Sequence, residues 1–239
     1  MKIKFKNFKP DDSWAHISDM MSGLMIIFLF ISVAYMNSVT KAKNKAEDLY
    51  EHAARLAGAW AETQDELYLD LFNEFKDDLS KWRATLSREN LSVRFEEPSV
   101  FFNSGSSLLT PGFKAVLDDF FPRYIKILNL YKDNIAEVRI EGHTSSEWIG
   151  SKNNLEAYFN NMKLSQDRTC AVLNYCLNMP AMKEHQAWAI SAITANGLSS
   201  SKLILNSHGK EDAALSRRVE FRVRTDADKR IMKILEEIK

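Results

Sequence analysis

Nothing global in this sequence points to nucleic acid or to disorder. Its 32 Lys and Arg balance 32 Asp and Glu, the formal net charge is zero, and 45% of the 239 residues are hydrophobic, so no direct nucleic-acid partner is implied and charge has to be read locally. Cysteine is nearly absent. Cys170 and Cys176 stand six apart in a helical pattern, about 9 Å along the axis, too far for a disulfide unless the helix ends between them, and they read as two buried free thiols. The five histidines, at 16, 52, 143, 185 and 208, are scattered without metal spacing. With no Walker-type glycine loop and no arguable Ser-His-Asp arrangement either, the sequence argues against an enzyme and calls for no metal or cofactor.

Long apolar runs are equally scarce, and the one present is ISDMMSGLMIIFLFISVAYM, residues 17–36. About 20 residues cover roughly 30 Å as a helix, enough for one membrane crossing. A cleaved leader would also begin with a basic tail such as Lys2, Lys4, Lys6 and Lys9. Against that reading, the run exceeds the roughly 7–15 apolar residues of a leader, and no Ala-x-Ala-like site follows Tyr35. By the positive-inside rule the lysines place residues 1–16 in the cytoplasm, although Lys41, Lys43 and Lys45 follow the span; the rest of the chain then lies outside, in the periplasm if the source is bacterial. Trp14 and Tyr35 bracket the span as interfacial anchors.

Asp19 is the oddity of that span. A carboxylate within hydrocarbon costs about 2.5–3.5 kcal/mol even on the permissive insertion scale, and such groups are kept mainly on proton or ion pathways. The second reading is that Asp19 or Ser18 caps the helix at the headgroups. On a helix, Ser22, Gly23 and Ile26 share the face of Asp19, and the small residues there let another helix approach closely. A lone helix makes no ion pathway, so an ion-carrying Asp19 demands partner helices.

Residues 37–90 contain no proline, and the apolar positions Leu49, Ala53, Leu56, Trp60, Leu67, Leu71, Phe75, Leu79, Trp82 and Leu86 recur at steps of mostly three or four. That is a helical stripe, broken only if Gly58 interrupts it. It reads equally as a parallel coiled-coil stalk or as a helix packed on the following domain. Residues 91–239 change texture, to short alternating strands and helical patterns. LSVRF, IAEVRIEGH and RRVEFRVRT read as strands; residues 112–131, 154–177 and, more weakly, 198–206 read as helices, the first started by Pro111. The expected architecture is one transmembrane α-helix, a helical stalk and a C-terminal α/β sandwich domain.

Two resemblances bear on function. A short basic tail, a Trp and DMMSGLMIIFLF, with its Asp at the head of the membrane helix, resemble the B subunit of the flagellar stator and its relatives. The resemblance implies that Asp19 accepts a proton or a sodium ion, that Ser22 lines its path, and that two B helices sit inside a ring of five membrane A subunits. IEGHTSS at 140–146, NMKLSQDRTCAVLNY at 161–175 and SRRVEFRV at 216–223 resemble the OmpA-like peptidoglycan-binding domain, whose pattern runs GHTD, NxxLSxxR, NRRVE. It implies that Arg168 clamps a diaminopimelate carboxylate of the wall's peptide stem, as the planar guanidinium suits, with Asn161, Leu164 and Arg217 about it. A surface role for Arg168, helix capping for Asn161, turn-shaping for His143 and Thr144, and a loop-holding role for Arg217 or Arg218 are the plainer readings.

The sequence departs from the pattern at Ser145, where the family Asp would meet the diaminopimelate ammonium. Either Glu147 or Glu156 substitutes, or affinity is weak, or the peptide differs. Taken together, HISDMMSGLMIIFLFISVAYM, GHTSSEW and the compact size are most similar to the B subunits of the Zorya anti-phage motors. That family implies a wall-anchored, ion-driven inner-membrane motor acting against phage. A passive wall anchor and an envelope force transducer are the competing readings, and Asp19 separates the first of them from a motor.

Overall fold

The computed structural model describes residues 12–96, 101–103 and 105–226. The lysine tail lies outside that range, as do residues 227–239 and the side chains of Leu56 and Trp60. Two compact units divide after Arg55. The first is built on helix α1 (Asp12–Phe75) as far as Arg55. It contains one stretch long and apolar enough to cross a membrane, and its large apolar side chains between Trp14 and Val39 are exposed. Leu, Met, Ile, Phe and Ala without proline keep the hydrogen-bond ladder unbroken, and in lipid a helix satisfies its own backbone.

The second unit begins at Leu56, well ahead of the domain start expected at residue 91. Leu67, Leu71 and Phe75, one row on the face of α1, are at most 1% exposed. The end of α1 is therefore a packed helix of the domain rather than a free stalk. Gly58 does not interrupt α1, and the helix stops at Phe75, short of the expected residue 90. Residues 76–83 form turns, and strand β1 (Ala84–Ser87) pairs antiparallel with β2 (Ser92–Glu96). Arg123 fastens this region: its guanidinium lies 5.0 Å from the Phe75 ring centroid and pairs with Glu74 at 2.7 Å and Asp78 at 3.1 Å.

Helix α2 (Pro111–Leu130) starts as its sequence predicts, with Pro111 in the first turn and the Thr110 hydroxyl accepting from the Phe113 amide. Strand β3 (Ile135–His143) and helix α3 (Asn154–Leu177) match the expected spans, and α4 (Gln186–Ala192), β4 (Ile193–Gly197), α5 (Ala213–Ser216) and β5 (Arg218–Thr225) follow. Residues 198–206 are not helical. They form turns joined by one bridge, Leu205 to Glu211, after Ser199 takes a left-handed φ of 51°. Cys170 is exposed rather than buried, Cys176 is buried, and both are free.

The described strands form one sheet in the order β1-β2-β5-β3-β4, antiparallel except for β3 and β4. Its alternation sends Val93, Phe95, Val138, Ile140, Val219, Phe221 and Val223 into the core. There Phe120 of α2 lies 5.1 Å from Phe95 and 5.2 Å from Phe221, ring centre to ring centre. The partner faces of β3 and β4 meet at the pair Gly142 and Gly197, directly under α3. A Cβ on Gly197 would come 2.4 Å from the Gln166 backbone nitrogen, and one on Gly142 would come 2.8 Å from the Ser165 carbonyl oxygen. Only glycine lets α3 sit that low. Gly197→Ala is accordingly expected to destabilise the domain by about 3 kcal/mol. Gly112→Ala, in helix α2 with no contact nearer than 4.0 Å, is expected to be neutral or stabilising by up to about 1 kcal/mol. Urea titration of the full chain in detergent checks both.

Candidate functional site

Because α3 is seated on the two glycines, its polar positions are delivered to the C-terminal end of β3. Gln166 grips the β4 edge, accepting from the Gly197 amide at 2.7 Å and donating to the Ala195 carbonyl at 3.2 Å. The Ser165 hydroxyl accepts from the Ser199 amide at 3.1 Å, and the Ser199 carbonyl in turn accepts from the Thr144 amide at 2.9 Å. Loop 144–153, from the end of β3 to the Asn153 cap of α3, is thereby fixed at its start.

Above this lies a cavity of about 560 Å³, and all five positions expected from the sequence, Ser145, Asn161, Leu164, Arg168 and Arg217, line it. Asn161 is not a helix cap. It sits about two turns inside α3, buried, and its amide donates to the carbonyls of Ser145 and Glu147, both at 3.1 Å. Arg168 is 9% exposed, which excludes the surface reading. Its Nε donates to the Ser106 carbonyl at 2.9 Å and its Nη2 to the Asn103 carbonyl at 3.4 Å, with the guanidinium 4.8 Å from the Phe102 ring centroid. No carboxylate pairs with it among the described residues. Burial, with the neighbouring charge of Arg217, pushes Arg168 down to about 10. A buried cation held by neutral carbonyls, with no carboxylate partner among the described residues, favours an anion beside it, and a carboxylate suits its fork.

The cavity also takes in residues that sequence reasoning passed over, Phe102 and Asn103 from the segment before α2 and Trp148 and Ile149 from the loop, together with Thr144, read from the sequence as turn-shaping, whose hydroxyl is buried without a partner among the described residues. Trp148 closes the phrase GHTSSEW and was its one available signal.

Arg217 and Arg218 separate cleanly. Arg217 is exposed and lines the cavity, whereas Arg218 is buried against Glu220 at 2.6 Å on the other face of the sheet. Glu220 also meets Arg94 at 3.0 Å and Arg222 at 3.3 Å. Glu141, His143 and Glu220 offer ligand atoms within 4.8 Å of one another. Three guanidiniums already hold Glu220, and Arg222 stands 3.5 Å from Glu141, so this trio is a poor host for a divalent cation.

Burial would raise the Glu220 carboxyl, but the Arg218 hydrogen bond, with the charges of Arg218, His143 and Arg94, holds it at about 2. Burial holds His143 below its ordinary 6.5. In both cases the unfolded chain takes up protons first as the pH falls, so stability present at neutral pH is lost on acidification. The apparent melting temperature of the full chain should decline below pH 6.5 as His143 contributes. It should drop further between 4.5 and about 2 as Glu220 does, and Glu220→Gln should flatten that lower limb.

In the first unit, α1 begins at Asp12. Asp19 is therefore about two turns inside the helix and is not its cap. It is exposed, and among the described residues no side chain engages it. One turn on, the Ser22 hydroxyl donates to the Ser18 carbonyl at 2.8 Å, which leaves its oxygen lone pairs available. A Cβ on Gly23 would have nothing within 4 Å, so this face is open to a neighbouring helix.

Comparison with known proteins agrees with both halves. The OmpA family model matches residues 101–220. Zorya protein ZorB from Escherichia coli is 46% identical over 232 residues, covering 97% of this chain and 96% of that protein. The crystal structure of a MotB-like protein from Desulfovibrio vulgaris superposes with a TM-score of 0.51 at 20% identity, covering 70% of this chain and 93% of that one, a likeness of fold. The chain belongs to the family of Zorya protein ZorB, with an OmpA-family domain forming its C-terminal part.

Proposed function

We propose that this chain is the wall-anchored, ion-carrying B subunit of a stator-like inner-membrane motor that acts in anti-phage defence. The observation that carries the reading is Asp19, a carboxylate in the first turn of the membrane-length stretch that starts at His16, with no side-chain partner among the described residues, in a chain 46% identical to Zorya protein ZorB. An acid taken into that apolar stretch is costly unless it exchanges an ion. Protonation, or sodium binding with Ser22 as a further oxygen, neutralises Asp19 in the dry interior of a partner ring, and release to the other side restores its charge.

Force from that cycle turns the partner only against something fixed. The cavity around Arg168 supports peptidoglycan as the fixed point, through the carboxylate of a diaminopimelate stem. The assembly is then two copies of this chain inside five MotA-like A subunits, spanning the inner membrane once with the N-terminus in the cytoplasm and the OmpA-family domain in the periplasm. A passive anchor needs Arg168 but not Asp19.

The test pairs two full-length variants, Asp19→Asn and Arg168→Ala, each expressed with the membrane protein encoded beside the gene. Both are expected to lose protection in phage plating at wild-type membrane levels, while Asp19→Asn alone keeps retention on peptidoglycan sacculi. Full protection by Asp19→Asn would remove the motor and leave the anchor.

A further inference from the structure

Between Asp12 and Thr40 the titratable residues of α1 are Asp12, His16 and Asp19 at one end and Tyr35 near the other. The first three follow one another at steps of four and three, which sets them in one row on one face of the helix. Ser22 and Gly23 extend that row past Asp19. Residues 20–40 contain no carboxylate, imidazole, amine or guanidinium at all, so the groups able to exchange a proton near neutral pH stand only on the N-terminal side of Asp19.

His16 sits where that asymmetry matters. It is the first residue of the membrane-length stretch, exposed, already inside the helix and so not its cap. Asp19 lies one turn on, about 4.5 Å along the axis, and positions three apart bring their Cβ atoms to about 5–6 Å. An imidazole there reaches the carboxyl directly or across one water. The charged residues within one turn of it are Asp12 and Asp19, and no other element packs against this part of α1 among the described residues. For sodium the same residue is a poor neighbour, because a hard cation prefers oxygen, and an imidazolium repels it.

We infer that His16 is the relay through which Asp19 releases its ion toward the N-terminal side of the membrane, and that the ion is a proton. The inference rests on the motor reading and deepens it. The Asp19 carboxylic acid gives its proton to the unprotonated ring nitrogen of His16, leaving a carboxylate and an imidazolium. The imidazolium then loses one proton to water at the helix end and returns to the neutral ring. Histidine suits the step because it is the side chain type that gains and loses a proton between about pH 5 and 8. Ser22, whose hydroxyl hydrogen is committed to the Ser18 carbonyl at 2.8 Å, has no proton to relay on the other side.

The experiment uses vesicles holding the full chain with the membrane protein encoded beside its gene, and reads proton and sodium uptake under an imposed gradient at equal amounts of each variant. Wild type is expected to take up protons and not sodium. His16→Gln, similar in size but unable to carry the charge, should lower proton uptake by about 100-fold, the low end of what a positioned proton donor or acceptor contributes. His16→Ala should lose as much and recover about tenfold when imidazole is added, whereas Asp19→Asn with imidazole stays inactive, which excludes leakage carried by imidazole itself. Wild-type proton uptake by His16→Gln, sodium uptake by wild type, or a loss in His16→Ala that imidazole does not restore overturns the relay, the last by reducing His16 to a structural residue of the helix. The parent proposal is read separately: wild-type uptake by Asp19→Asn, or uptake of neither ion by wild type, overturns ion carriage itself.

Discussion

Asp19→Asn is expected to reduce protection against phage to the level of cells lacking the chain, with the variant reaching the membrane at least as well as wild type. Asn keeps the size and hydrogen-bonding groups of Asp but cannot take up or release a proton at any accessible pH. A carboxylate in hydrocarbon costs about 2.5–3.5 kcal/mol, so removing it makes insertion of α1 easier, not harder. If Asp19 only shaped the helix, the substitution would therefore be tolerated. A capping role is closed off independently, because α1 starts at Asp12. Asp19→Glu, which keeps the acid and lengthens it by one methylene, is expected to retain part of the protection. Gly23→Leu tests the neighbouring surface: it fills a position now open to an approaching helix and is expected to weaken assembly with the membrane partner while leaving the acid in place.

Arg168→Ala is expected to lower retention on sacculi by roughly 30-fold to 1,000-fold, the about 2–4 kcal/mol that follows from removing one partner of a desolvated charge pair. Part of that loss is structural, because Arg168 also ties the carbonyls of Asn103 and Ser106 to α3. Arg168→Lys separates the two contributions. Lysine keeps the charge but not the planar fork, so binding should fall by less than in Arg168→Ala while the domain's unfolding midpoint stays near wild type. An unchanged retention for Arg168→Ala would mean that the buried guanidinium serves the loop alone.

How far the sequence carries the fold can be seen at its failures. Strand β3 and helix α3 were legible because the alternation in IAEVRIEGH and the helical pattern of residues 154–177 are local signals. The end of α1 was not. Leu79, Trp82 and Leu86 continue the three-and-four spacing past Phe75, and the chain turns at Arg83 with a φ of 50°, a left-handed residue that is not glycine and leaves no mark. Ser199 hides the end of β4 in the same way, at a φ of 51°. Sterics alone disfavour such residues; each is held by tertiary bonds that no local pattern shows, as Ser199 is by the carbonyl of Tyr158 and the hydroxyl of Ser165.

The site divides along the same line. Asn161, Leu164 and Arg168 share one helix and one motif, so their common cavity followed from spacing and resemblance. Phe102 comes from the segment before α2, Thr144 and Trp148 from loop 144–153, and the two meet only after α3 has settled on Gly142 and Gly197. Whether Arg217 or Arg218 faced the cavity depended on strand register, since the start of β5 at Arg218 turns that side chain to Glu220 and leaves its neighbour at the cavity.

The central claim is that Asp19 carries the ion. Its most direct test is ion uptake into vesicles holding this chain together with its membrane partner, with a proton-sensitive dye in one series and a sodium-sensitive dye in the other. The account predicts that wild type conducts one of the two ions under an imposed gradient and that Asp19→Asn, present in equal amount, conducts neither. Equal conduction by Asp19→Asn would contradict it.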